Sequence, residues 1–196
     1  MAAHLLAGKG FKKVYNVKGG IQAWKGEIAE GPVELNMEMV HGDESPTEIV
    51  RLAYGMEEAL GLFYTTMIGQ TEDADVVALL TRLAEIEEKH KEYLASLYST
   101  ITGAADALET VAPHISDPVM EGGFNVSEFM EKNGRFMRTV SGVLDIAMTL
   151  ETQALDLYLR FAQKVETDEA REILHKIGNE EKAHLASLGR LRELHP

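Results

Sequence analysis

Ile86-Glu87-Glu88-Lys89-His90 and Glu180-Glu181-Lys182-Ala183-His184 are the two stretches that decide how this chain of 196 residues is read. Each contains a Glu-x-x-His pair, Glu87 with His90 and Glu181 with His184. Thirty residues before each pair stands a further glutamate, Glu57 in one case and Glu151 in the other, so the pattern recurs at an interval of 94. A lone Glu from one helix and a Glu-x-x-His from the next, supplied twice, is the donor set of a dinuclear carboxylate site inside a four-helix bundle. The expectation is therefore an all-α metal protein.

A Glu-x-x-His pair alone says little, because the sequence also contains Glu38/His41 and Glu172/His175. Helix faces separate them. His175 and His184 are nine residues apart, and nine steps of ~100° put them on opposite sides of a helix, so His175 is expected at the surface. The neighbours of the six chosen residues are apolar at three- and four-residue spacing. Glu57 shares its face with Val50, Ala53, Leu60 and Tyr64, and Glu151 with Leu144, Ala147, Ala154 and Tyr158. Glu87 and His90 share theirs with Leu80, Leu83 and Leu94, and Glu181 and His184 with Leu174, Ile177 and Leu188. Four carboxylates turned into such a core repel one another and lose hydration worth several kcal/mol each. Cations must compensate, and imidazole with carboxylate suits iron or manganese better than calcium. Tyr64 and Tyr158, each seven residues after a ligand Glu, can serve either as hydrogen-bonding supports for the carboxylates or as plain core. Met37, Met56, Met67 and Met148 read as core fillers.

Around these residues the helix signals fall into place. Ser45-Pro46-Thr47-Glu48 sets an N-cap, a first-turn proline and a capping-box Glu in order, opening a first helix that runs to about residue 70. Thr71 with Glu72-Asp73 introduces a second, to about Tyr98; a third spans roughly Ser141 to Val165; Thr167-Asp168-Glu169 introduces a fourth. About 40 residues separate the second and third helices and contain Pro113, Pro118, Gly122-Gly123 and an Asn125-x-x-Glu128 cap for a short helix. That is too long for a turn and fits one long crossover at about 101–140.

Composition narrows the rest. With 45% hydrophobic residues the chain can bury one bundle plus an appendage. A formal charge of −13 argues against nucleic acid or an anionic membrane surface as partner. No apolar run reaches the ~20 residues of a membrane helix, and the start lacks a signal-peptide pattern, so a cytoplasmic protein is expected. The 196 residues contain no cysteine, which excludes a disulfide, a thiolate nucleophile and a Cys-ligated metal within them. Residues 1–35 are Gly-punctuated, with a break at Gly31-Pro32. Gly10-Phe11, Val14-Tyr15-Asn16-Val17 and Lys18-Gly19-Gly20-Ile21-Gln22-Ala23-Trp24 resemble the C-terminal end of a rhodanese domain. The sulfur-carrying cysteine loop of that domain has no counterpart here, so sulfurtransferase activity is not expected.

Residues 45–196 resemble a rubrerythrin-type member of the ferritin-like di-iron family. The resemblance implies a ferritin-like four-helix bundle with one long crossover, preceded by a short N-terminal α/β remnant. It also implies two iron ions, with manganese or zinc as alternatives, bridged by Glu87 and Glu181 and completed by Glu57 with His90 and Glu151 with His184. The chain departs from that family in having Met148 where rubrerythrins have a further Glu, and in lacking the cysteines of a rubredoxin module. The leading expectation is an oxidoreductase that reduces hydrogen peroxide, or handles dioxygen, with electrons from an external donor such as a rubredoxin or a flavoprotein. The alternatives are a ferroxidase or iron-handling protein and a metal-stabilised structural or sensing bundle. Phe11, Tyr15, Ile21 and Trp24 need cover, either on the bundle or on a second subunit, and a homodimer or larger assembly is expected.

Overall fold

A computed structural model describes residues 36–103 and 119–195. The chain divides into two compact units, Met1–Leu35 and Asn36–Pro196. The rhodanese-like resemblance lies outside the described residues.

Four long helices make up the second unit, and each begins at a side-chain cap. Helix α1, Pro46–Ile68, opens with a complete capping box: Ser45 Oγ accepts from Glu48 N at 3.4 Å, and Ser45 N donates to Glu48 Oε2 at 2.8 Å. Pro46 occupies a first-turn position where its missing N–H costs nothing. Helix α2, Ala74–Thr102, takes its N-cap at Asp73, two residues after the expected Thr71, because the Asp73 carboxylate accepts from the N–H groups of Asp75 and Val76 at 3.0 and 3.1 Å. The Thr71 hydroxyl instead accepts from Asp73 N and shapes the preceding turn. Thr139 caps α4, Val140–Lys164, and Thr167 caps α5, Asp168–Leu194. Short helix α3, Val126–Asn133, is capped by Asn125 through Glu128 N at 3.1 Å, as its spacing predicts.

The hydrophobic core fixes the directions of these helices. One cluster joins Ala59 to Met67 of α1, Val76 to Leu83 of α2, Val143 to Leu150 of α4, and Leu188 near the end of α5. The other joins Ile49 to Met56 of α1, Leu94 and Tyr98 of α2, Ala154 to Ala162 of α4, and Ala170 to Ile177 of α5. So α1 runs antiparallel to α2 and α4 to α5, whereas α2 and α4 are parallel. A chain leaving the C-terminal end of α2 must travel the length of the bundle, ~37 Å for a helix of 25 residues, before α4 can begin. This is the physical reason for the crossover.

The described part of the crossover lies against the bundle. Strands β1, Val119–Met120, and β2, Phe124–Asn125, pair antiparallel around a turn at Glu121–Gly123. Met120 and Met137 are fully buried and join Phe63, Tyr64 and Met67 in the core. Two glycines permit the close approach. A Cβ at Gly122 would lie 2.7 Å from Gln153 Cβ, and one at Gly123 would lie 2.4 Å from the Asn36 side chain; both residues have φ near +75°. The Asn36 amide in turn donates to the Gly122 carbonyl at 2.7 Å.

Candidate metal centre

Between the two core clusters lies the layer that holds the acids. Glu57 and Glu151 follow the apolar stripes of α1 and α4 inward, and Glu87 and Glu181 do the same on α2 and α5. All four are 1–3% exposed and are the buried charged residues of the described chain. Every stripe neighbour expected to be apolar core is buried, from Val50 and Leu80 to Ile177 and Leu188. His175 is exposed, and Glu38/His41 precede the bundle helices, so neither pair joins the site.

The six residues converge as two triads. In Glu57–Glu87–His90 and in Glu151–Glu181–His184, one donor atom per residue lies within 4.8 Å of the others. His90 Nδ1 is 2.9 Å from Glu87 Oε2 and 3.3 Å from Glu57 Oε2. His184 Nδ1 is 3.5 Å from Glu181 Oε2 and 3.6 Å from Glu151 Oε2. The imidazole rings stack at 3.8 Å, with planes 9° apart, and tie the triads together.

Electrostatics show a cage short of positive charge. Burial pushes the Glu57 carboxyl up to about 8, against the hydrogen bond from His90, and repulsion from Glu87 adds to the rise. Burial would lower His90, but hydrogen bonds to Glu57 and Glu87 outweigh it and raise the imidazole to about 11. Glu151 is held below the usual carboxylate range: burial opposes this, and the neighbouring His184 and Glu181 side chains prevail, with the charge on His90 assisting. Glu151 Oε2 and His184 Nδ1 are buried and take no hydrogen bond. Two carboxylates and one imidazole per triad, with one donor atom of each within 4.8 Å of the others, fit a pair of first-row transition-metal ions. Such ions would supply the charge that the cage lacks.

Tyr64 and Tyr158 are also buried. The Tyr158 hydroxyl lies 3.9 Å from Met56 Sδ, joining α4 to α1, and the Tyr64 ring packs on Phe63 at 5.4 Å. Met148, at the position of the additional rubrerythrin Glu, is half-buried against the core.

A cavity of about 710 Å³ opens onto the triads from the side of α2 and α5, reaching Glu57, His90, Glu151 and His184. Its walls include Arg82, Lys89 and Arg190, which sequence reasoning did not single out. On α2, Arg82, Ile86, Lys89 and Tyr93 share one face by helical spacing, a pattern that in the sequence reads as a solvated face. Among the described residues, no helix is long and apolar enough to cross a membrane.

The sequence model of the Rubrerythrin family matches residues 48–192, and the chain belongs to that family. Among solved structures, a hypothetical protein from Pyrococcus furiosus is 21% identical with a TM-score of 0.46, covering 83% of this chain and 94% of its own. A protein from Thermotoga maritima described as a ferritin-like diiron-carboxylate protein is likewise 21% identical with a TM-score of 0.46, covering 79% and 98%. No curated protein matches the chain.

Proposed function

We propose that this member of the rubrerythrin family is a non-haem di-iron oxidoreductase that reduces peroxide, with Glu57, Glu87, His90, Glu151, Glu181 and His184 as the metal ligands. The observation that carries the reading is the pair of buried carboxylate–histidine triads facing each other at mid-bundle. Two iron ions, when bound, supply the electron pair that an O–O bond takes up on breaking. The protein does the rest. Its four helices hold the carboxylates at fixed spacing, its two core clusters exclude water above and below, and the cavity admits a small molecule from one side. Lys89, Ser187 and Glu180 line that cavity and can relay protons from solvent toward the site. Electrons come from an external donor, a rubredoxin or a flavoprotein, since the 196 residues contain no cysteine to hold an electron-transfer centre of the rubredoxin type.

The test begins with metal analysis of the isolated protein, with two irons per chain expected. The protein is then reduced without air and mixed with one equivalent of hydrogen peroxide. A rise in near-ultraviolet absorbance together with loss of the peroxide is the expected outcome. Uptake of many irons per chain with no peroxide consumption would replace this reading with iron handling.

A further inference from the structure

We propose that the preferred substrate is a long-chain carboxylic acid bearing a mid-chain hydroperoxide, taken up lengthwise in the groove between α2 and α5. The inference rests on the peroxide-reductase reading and deepens it. Hydrogen peroxide is about the size of water, ~30 Å³, and the groove is more than twenty times that. A volume of about 710 Å³ lies within the roughly 300–1,000 Å³ range of sites that bury an organic ligand.

The walls are largely apolar, with Lys89, Glu180 and Ser187 as polar lining near the triads. Leu79, Leu83 and Leu94 line it from α2, and Ile177, Leu188 and Leu191 from α5. From Leu79 to Leu94 the apolar wall runs ~22 Å at 1.5 Å per residue, about the length of a long-chain fatty acid. Two of the exposed large hydrophobic residues of the described chain, Tyr93 and Leu194 at 40% and 74%, border this same groove.

Charge gives the groove a direction. Because α2 and α5 are antiparallel, Arg82 and Arg190 lie at the same end, beside Leu79 and Leu191. Arg82 and Lys89 form no ion pair among the described residues, and Arg190 only donates to Ser187 Oγ at 3.0 Å. Of the acidic lining residues, Glu57, Glu151 and Glu181 belong to the triads, and Glu180 lies one helical turn beyond His184 from Arg190, so the basic end of the groove carries no acidic lining residue. Arg82 is eight residues from His90, ~12 Å along α2, and Arg190 is six from His184, ~9 Å along α5. A carboxylate held by the two guanidiniums therefore places a mid-chain carbon, not the chain terminus, beside the triads. There the hydroperoxide O–O bond breaks. The carbon-bound oxygen remains as an alcohol, the distal oxygen leaves as water, and the two electrons and two protons required come from the external reduced donor and from solvent.

Two measurements test this. In the first, oleate displaces a fluorescent fatty acid from the full chain, with and without iron. Micromolar binding is expected, weakened at least tenfold in the Arg82→Glu/Arg190→Glu variant, whose exposed substitutions are checked by circular dichroism. A Leu191→Trp variant, which narrows the groove without altering charge, is expected to weaken oleate more than octanoate. In the second, turnover of linoleic acid hydroperoxide is compared with that of hydrogen peroxide. The ratio of the two kcat/KM values is expected to exceed ten and to fall at least tenfold in the double-Glu variant. Absence of oleate binding, binding indifferent to both variants, or a ratio near or below one would each overturn the proposal. So would a self-associated form, seen by sedimentation, that excludes oleate from the groove. Hydrogen peroxide turnover with no hydroperoxide preference would sink only this proposal. Oleate binding with no peroxide turnover of any kind would sink the reading beneath it.

Discussion

The first hairpin, α1 with α2, and the second, α4 with α5, repeat one donor pattern at an interval of 94 residues and support it differently. The frame is common to both: an inward Glu, then a Glu-x-x-His one helix later, on stripes that are buried throughout. Outside the frame the copies diverge. Arg51 Nη2 donates to Tyr98 Oη at 2.6 Å and ties α1 to α2. The equivalent positions in the second hairpin, Asp145 and Arg192, make an ion pair at 2.7 Å that ties α4 to α5. Leu60 in one copy corresponds to Ala154 in the other, and both are fully buried. His90 sits closer to its carboxylates than His184 does to its own. Helix register thus brings each triad together, while the ties between helices can be made by any pair that reaches.

The comparison breaks most severely if one triad can function without the other. Glu87→Ala and Glu181→Ala are each expected to lower iron content from two per chain to one or none, with affinity reduced more than ~100-fold. Even a partner that only supports a ligand costs about 10–100-fold. Metal titration followed by iron analysis checks this, and two irons retained in either variant would refute the equivalence of the triads. The next effect concerns the metal-free protein. Removing His90 strips two buried carboxylates of their closest cation, so His90→Ala should destabilise by roughly 3–5 kcal/mol. The longer contacts of His184 should make His184→Ala about half as costly. Urea denaturation in chelator measures both, and the reverse order would mean that the tightness of the contacts does not govern stability.

Leu60→Ala makes the two copies alike at one core position. It should cost about 2–5 kcal/mol, because Ala154 already occupies its slot while Leu60 would leave a cavity. Thermal denaturation reads the loss, and a change below ~1 kcal/mol would show that the slots are interchangeable. The smallest effects concern the ties. Asp145→Ala should cost no more than ~1 kcal/mol and lose even that at high salt, since Asp145 is largely exposed. Tyr98→Phe, which removes a partly buried hydrogen bond to a charged group, should cost ~1–2 kcal/mol with little salt dependence.

Much of this fold and of the site is legible in the sequence. The six donors, the buried stripes around them and the caps at Ser45, Asn125 and Thr167 all follow from periods and spacings that a helix imposes on its own sequence. The start of α2 was displaced by two residues because Thr71 and Asp73 are both competent caps, and only the hydrogen bonds choose between them. The hairpin of β1 and β2 went unread: strands of two residues have no period to detect, and Gly122-Gly123 alone marks a turn without saying what it packs on. The groove between α2 and α5 was illegible for a different reason. It is a property of the distance between two helices remote in sequence, and Arg82, Lys89 and Arg190 look like ordinary solvated charges until that distance is known.

Joining both hairpins through the crossover has an evolutionary consequence. In a dimer of identical hairpins every substitution is made twice and must suit both sides of a self-complementary interface at once. A single polypeptide is released from that obligation, so one copy can exchange an Arg–Tyr tie for an Asp–Arg pair, or a Leu for an Ala, without its twin following. The strap across the bundle thereby turns a symmetric scaffold into one whose two sides can drift apart while their shared ligands stay in place.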